Sequence, residues 1–380
     1  MTTKLYENDP NLFSFTATVR TCLAEGNGYA VTLDRTAFFP CEGGQGADHG
    51  TLGGAEVTDV LLRGEEVVHL LDAPLAVGVT VAGEVNAVRR RRHMQVHTGE
   101  HILSGVLHTL YGVTNVGFHL GDSEVTLDTD IPLSAEELAT AEEAANRAVF
   151  ENRRVRVLWP TPEELSTLSY RAKLALTEGV RLVEIEGVDL CACCAPHVAS
   201  TGECGLIKIV SAMHYKGGMR LCIAVGQDAL ADYRRKQENI HAASVSLSVP
   251  EERVGEGVQR LLSSLSEERR RAAVLAATLR RERLSALSGG ERELLVYSDL
   301  EPQALASYAE EGAALSRMLL VLLPEEGGCR YALASRTLDV RETDAALHAA
   351  LGGRGGGRAV LTQGFLPADA ERIKREFLGL

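Results

Sequence analysis

The sequence is short of several things, and each shortage closes off a class. Met1 to Pro10 is polar, with no apolar run behind a basic start, so no secretory signal is expected. No apolar stretch is long enough to span a bilayer, which argues against a membrane protein. Positive charge is scarce: 39 Lys and Arg against 52 Asp and Glu leave a net charge of −13. That balance excludes a uniformly basic nucleic-acid binder, although a local basic stripe can still hold RNA. The eight cysteines are too unevenly placed for a disulfide scaffold. Clustering of Cys191, Cys193 and Cys194 points instead to metal ligation or reduced thiols, as in a reducing cytoplasm.

What is present organises around His97-Thr98-Gly99-Glu100-His101. Met94, Ile102, Leu103, Val106 and Leu107 give the flanks the spacing of a buried helix, expected over Arg92 to Tyr111. Histidines four apart lie on one helical face, so both imidazoles can reach one metal ion. Cys193-Cys194-Ala195-Pro196-His197 supplies a thiolate and a third imidazole, a donor set suited to tetrahedral zinc.

A chain of 380 residues is too long for one ordinary domain. We expect an α+β multidomain protein in four parts. Residues 1–90 read as about six short strands separated by glycines, a small β-barrel. Its loop Arg35 to Gly50, with Gly43, Gly44, Thr36 and Gln45, reads either as a polar ligand-reading loop or as a plain surface loop. Residues 91–228 read as an α+β unit built on the histidine helix, with a hairpin around Gly121 to Ser123. Residues 229–290 are rich in leucine, alanine and charge, a helical or coiled-coil connector broken at Pro250. Residues 291–380 alternate strand and helix. There Gly353-Arg354-Gly355-Gly356-Gly357-Arg358 reads as a phosphate-wrapping loop or a flexible linker. Arg89, Arg90, Arg91 and Arg92 form a basic stripe before the histidine helix, read as RNA contact or as a solvated linker.

The order Phe-Phe-Pro-x-x-Gly-Gly-Gln-x-x-Asp-x-Gly, then His97-x-x-x-His101, then Cys193-x-x-x-His197, resembles the editing domain of alanyl-tRNA synthetase and the AlaX proteins. The glycine-arginine stretch near the end resembles the DHH-associated RNA-binding domain of that synthetase. By that resemblance His97, His101, Cys193 and His197 hold one zinc ion per chain. Thr36 and Gln45 lie near the bound aminoacyl group. Gly353, Gly355, Gly356, Gly357, Arg354 and Arg358 join Arg89 to Arg92 in contacting RNA. A class II aminoacylation domain has no counterpart before the barrel, so the resemblance implies a long-form, free-standing editor. It would hydrolyse tRNA(Ala) carrying serine or glycine without charging tRNA. The sequence departs from the family at Pro40-Cys41-Glu42, where the carboxylate is displaced by one, and at Cys194-Ala195-Pro196 inside the second metal motif.

Three chemical expectations follow. Editing serine makes sense because a synthetase pocket cannot strongly reject an isostere that merely adds a hydroxyl. Thr36 and Gln45 are the candidates for reading that hydroxyl, and Glu100 is either a general base or an exposed helix glutamate. The leucine-rich connector is compatible with a homodimer through the C-terminal half.

Two rival functions remain open at this level. His97-Thr98-Gly99-Glu100-His101 also fits the inverted H-x-x-E-H pattern of zinc peptidases, which needs a third ligand such as Glu178 or Glu184. A non-catalytic RNA-binding protein with structural zinc explains the ligands and the basic loops. A DHH phosphodiesterase is disfavoured, because no Asp-His-His triplet occurs.

Overall fold

The computed structural model of the chain describes residues 2–172 and 179–380. They form two compact units, Met1–Ala243 and Ser244–Leu380. No helix among the described residues is long and apolar enough to cross a membrane.

The first unit begins with six strands: β1 (Ser14–Glu25), β2 (Gly28–Leu33), β3 (Gly50–Leu52), β4 (Ala55–Arg63), β5 (Glu66–Leu71) and β6 (Thr80–Val85). They close into a barrel in the order β1-β2-β5-β4-β3-β6. Alternation in sequence dictates it. Phe15, Ala17 and Val19 of β1 are buried while Ser14, Thr16 and Arg20 are exposed, as a strand with one wet face requires.

The loop between β2 and β3 is not a surface loop. Thr36, Phe38, Phe39, Gln45 and Asp48 are all buried. A polar loop tolerates burial only when its groups find partners. Here the Phe39 N–H donates to the Asp48 carboxylate at 2.7 Å, and Thr36 Oγ1 pairs with His69 Nε2 at 2.8 Å.

Helix α1 runs from Ala87 to Tyr111, one and a half turns earlier than expected. Asn86 caps it, accepting from the Val88 and Arg89 N–H groups, and Gly112 ends it in the left-handed region at φ 70°. The arginine stripe is therefore its first turns and no linker. After α1 come β7 (Asn115–Leu120), β8 (Val125–Thr129), α2 (Ala135–Phe150), β9 (Val155–Leu158), α3 (Pro162–Thr167), β10 (Leu182–Ile185) and β11 (Asp189–Ala192). Then follow β12 (Ile207–Tyr215), β13 (Gly218–Val225) and α4 (Gln227–Leu247). A four-stranded sheet, β12-β13-β8-β7, shares one apolar core with α1 and α2. A three-stranded sheet, β9-β10-β11, carries Cys191 and leads into Cys193 and Cys194. Gly105 lets this sheet approach α1, since a Cβ there would lie 2.7 Å from both the Asp189 Cβ and the Val188 carbonyl.

In the second unit, α5 (Val254–Leu284) precedes β14 (Glu293–Val296), α6 (Leu305–Gly312), β15 (Leu319–Glu325), β16 (Gly328–Ala334) and α7 (Val340–Leu351). β17 (Arg354–Arg358), β18 (Leu361–Leu366) and α8 (Ala370–Gly379) complete it. The sheet order is β14-β15-β16-β18-β17. Leu319, Val321 and Leu323 of β15 face one core, Leu320 and Leu322 the other. Burial on both faces explains the unbroken apolar run.

The glycine-rich segment is neither loop nor linker: it is the edge strand β17, paired antiparallel with β18 from Arg354↔Phe365 to Arg358↔Leu361. A Cβ on Gly355 would lie 2.4 Å from the Tyr331 hydroxyl, so the strand needs glycine there to pass.

Candidate active site and metal centre

Helix α1 presents His97 and His101 on one face, and the stretch after β11 brings Cys193 and His197 to them. One donor atom from each lies within 4.8 Å of all the others. Bond lengths of about 2.0–2.3 Å at tetrahedral zinc would place neighbouring donors about 3.5 Å apart. The Cys193 Sγ lies 3.6 Å from His97 Nε2 and 3.3 Å from His197 Nε2, close to that spacing. Cys193 and His197 do not share a helical turn. Their segment is irregular, and the Cys193 N–H donates instead to the Arg181 carbonyl at 3.1 Å.

Each imidazole has a polar group beside its outer nitrogen. His97 Nδ1 meets Gln45 Oε1 at 2.8 Å, His197 Nδ1 meets Thr98 Oγ1 at 2.9 Å, and His101 Nδ1 lies 3.3 Å from Asp189 Oδ2. Such outer partners fix tautomer and ring orientation at metal sites. The donor set and its supports fit zinc. Burial alone would push the Cys193 thiol up, but His97 beside it and hydrogen bonds from His101 and His197 outweigh it and hold the thiol well below its usual range. Burial also dominates at His197, lowering it to about 3, so its ring stays neutral as a ligand must.

Asp189 was not singled out from sequence. Burial works against its charge, yet bonds from Arg171 Nε and Nη2, both at 2.7 Å, and from His101 hold its carboxyl below the usual range. Nothing in the local sequence marks it, because Arg171 and His101 reach it from separate elements.

The cluster opens on a cavity of about 840 Å³ whose wall includes Glu100, Asn115, Gly43 and Trp159. Glu100 is 3% exposed, which removes the exposed-glutamate reading. Its Oε1 accepts from Ser104 Oγ and from Asn115 Nδ2, the latter at 2.7 Å. Oε2 lies 4.0 Å from His101 Nε2.

Other expected site residues fall elsewhere. Thr36 is fully buried against His69 in the barrel and does not line the cavity. Gln45 turns its carbonyl oxygen to His97, so it supports a ligand histidine rather than facing a substrate hydroxyl. The basic stripe is spent internally. Arg90 is fully buried against Asp48, Arg92 pairs with Asp228, and Arg89 pairs with Asp122. Helical periodicity turns these three inward, leaving Arg91 exposed over the Phe13 ring at 5.2 Å. Glu184, the peptidase reading's third ligand, pairs with Arg156 at 3.1 Å and does not line the cavity. Glu178 lies outside the described residues. In the second unit, Gly353, Gly355, Gly356 and Gly357 lie with Arg354 and Arg358 along the exposed edge strand and its approach. Arg358 pairs with Glu310 at 3.1 Å.

Residues 180–261 match the model of the threonyl and alanyl tRNA synthetase second additional domain, a segment that contains Cys193 and His197. The chain is 31% identical to an alanine–tRNA ligase of Pyrococcus abyssi over 96% of its own length and 42% of that protein's. It is 33% identical to the Pyrobaculum neutrophilum enzyme over 98% of its length and 44% of that protein's. It thus spans less than half the length of these relatives. A solved C-Ala domain of Aquifex aeolicus alanyl-tRNA synthetase matches 23% of the chain and 84% of that domain, at 18% identity and a TM-score of 0.20, too slight to carry an argument. The chain is an AlaX-like, alanyl-tRNA synthetase-related protein.

Proposed function

We propose that this chain removes serine from mischarged seryl-tRNA(Ala), with glycyl-tRNA(Ala) as a second substrate. The observation that carries the reading is the shared cavity: a buried carboxylate, Glu100, and three of the four clustered donors, His97, His101 and Cys193, face the same space. An aminoacyl ester is activated, so a positioned water and modest polarisation suffice to cleave it.

His97, His101, Cys193 and His197 would hold one zinc ion, which when bound supplies a Lewis acid and a positive charge that orients the substrate. Glu100 does the proton work. Its Oε1 is fixed by Ser104 and Asn115, leaving Oε2 to take a proton from the attacking water. Asp189, Gln45 and Thr98 orient the three imidazoles.

Four protein donors at one point also favour a second reading, a closed structural site in a tRNA-binding protein. The two part on one experiment. Seryl-tRNA(Ala) and alanyl-tRNA(Ala) are incubated with metal-quantified protein, wild type and Glu100→Gln. Editing predicts rapid loss of serine, sparing of alanine and at least a hundredfold drop in Glu100→Gln. A closed structural site predicts no hydrolysis by folded, zinc-loaded protein.

A further inference from the structure

Three glycines fill the middle of β17, and the second unit itself requires only two of them. A Cβ on Gly355 would lie 2.4 Å from the Tyr331 hydroxyl and 2.5 Å from the Gln363 carbonyl, and one on Gly357 would lie 2.3 Å from the Leu361 carbonyl. A Cβ on Gly356 would meet nothing within 4 Å, and its φ lies outside the left-handed region. An interior glycine weakens a strand. Where packing does not demand it, it marks a place that another backbone approaches closely.

Register says what that backbone would meet. Only Ala359 and Val360 join β17 to β18, so Arg358↔Leu361 is a hydrogen-bonded pair, and Gly356↔Gln363 and Arg354↔Phe365 are the next two. Gly355 and Gly357 therefore turn both N–H and C=O outward along the edge of the sheet. Among the described residues no strand pairs with that edge, and all five residues of β17 are exposed.

The same register puts Arg354, Gly356 and Arg358 on one face with Phe365, Gln363 and Leu361, the face that carries α6. A groove of about 440 Å³ lies there, its wall including Arg354, Gln363, Phe365, Pro302 and Leu305. Arg358 is held by Glu310 at 3.1 Å, whereas among the described residues no carboxylate pairs with Arg354.

An added strand uses all of this. It makes four main-chain bonds to Gly355 and Gly357. Its side chain opposite Gly356 crosses bare backbone toward the groove, and the side chain two places away stands opposite Arg354. Phosphate fits less well, because it accepts from the two N–H groups but is repelled by the carbonyls that alternate with them. A second copy of β17 also fits poorly, since antiparallel self-pairing sets arginine against arginine.

We propose that β17 is a docking edge for an extended acidic segment of another protein. The segment adds to the five-stranded sheet antiparallel to β17, with an apolar residue opposite Gly356 and a carboxylate opposite Arg354. Main-chain bonds give such a complex its affinity, and alternate side chains give it specificity. Docking here is independent of any chemistry in the first unit.

The test uses the full chain and the capped heptapeptide Thr-Glu-Thr-Phe-Thr-Glu-Thr, whose phenylalanine is set opposite Gly356. Protein labelled with heavy nitrogen at glycine reports binding through the Gly355 and Gly357 amide signals. Saturation is expected to shift both signals and to slow their exchange with solvent about tenfold. N-methylation of the two central threonines removes the N–H groups that face the Gly355 and Gly357 carbonyls, and is expected to abolish binding. Arg354→Ala is expected to weaken binding about fivefold. Gly356→Leu, for which the strand has room, is expected to obstruct the phenylalanine and weaken binding about tenfold. Circular dichroism establishes that each variant is folded, and a uridine octamer is titrated in parallel. Peptide binding that shifts both glycines and needs the threonine N–H groups and Arg354 sustains the docking edge. Unmoved glycine signals in folded wild type, or binding indifferent to N-methylation, overturn it. Glycine signals moved by the octamer and not by the peptide also overturn it, and assign the edge to phosphate.

Discussion

The Arg90 guanidinium is fully buried against the Asp48 carboxylate, with Nε 3.0 Å from Oδ2 and 3.1 Å from Oδ1. Its Nη1 reaches the Pro10 carbonyl at 2.9 Å and its Nη2 the Ala37 carbonyl at 2.6 Å. One side chain thus fixes the first turn of α1 to the N-terminal segment and to the loop between β2 and β3. Removing one partner strands the other charge, so Arg90→Met should destabilise the fold by about 3–5 kcal/mol. Restoring neutrality in Arg90→Met/Asp48→Asn should recover part of that loss. Urea unfolding of the three proteins checks it, and equal stability of Arg90→Met and wild type would contradict the pairing.

Asp189 governs how firmly the metal is held. Asp189→Asn keeps the shape but gives up the charge that Arg171 and His101 share. Zinc affinity, measured by competition with a chromophoric chelator, should fall about 10–100-fold, and Gln45→Ala should show a smaller loss of the same sign. Unchanged affinity in both would mean that the histidines are oriented by packing alone.

His69 gives the barrel an acid weakness. Burial lowers its pKa from 6.5 to about 4, so the folded state keeps the ring neutral while the unfolded chain protonates near 6.5. Between those values the unfolded state binds more protons, and stability falls as pH drops from about 6.5 toward 4. From pH 7 to pH 5 this group should cost about 2 kcal/mol. Denaturant unfolding at the two pH values, with wild type and His69→Gln, isolates it: the variant should lose that much less on acidification. Parallel losses would place the acid sensitivity elsewhere.

Edge strand β17 exposes the side chain of Arg354, with Arg358 held beside Glu310. If this edge meets the phosphate backbone, Arg354→Ala should weaken tRNA binding uniformly across sequences and reduce the salt slope by about one. Arg91→Ala, on the first turns of α1, tests the only exposed member of the other basic stripe in the same assay. An unchanged slope in both assigns RNA contact to other residues.

The sequence announced some of this and hid the rest, for physical reasons. The barrel strands and α1 were legible because alternation and 3.6-residue spacing are local. His97, His101, Cys193 and His197 were legible because their spacings are short within each pair. The loop holding Phe38, Phe39 and Gln45 looked like surface because composition does not reveal that Asp48 and Arg90, 42 positions apart, satisfy each other. Counting arginines likewise promised a basic stripe that helical geometry turned inward. The glycine-rich segment read as a loop because glycine weakens strands in isolation, whereas here Tyr331 requires it. Asp189, Arg171, Trp159 and Arg181 stayed invisible because segments distant in sequence bring them to one cavity.

The central claim is that the cavity cleaves an aminoacyl ester beside a His/Cys metal centre. The most direct test follows seryl-tRNA(Ala) and alanyl-tRNA(Ala) with zinc-quantified wild type, a chelated and zinc-restored sample, and Cys193→Ser. Fast release of serine with alanine largely spared, lost on chelation, restored by zinc and abolished in folded Cys193→Ser, is the predicted result. Intact seryl-tRNA(Ala) and glycyl-tRNA(Ala) after incubation with folded, zinc-loaded protein would contradict it.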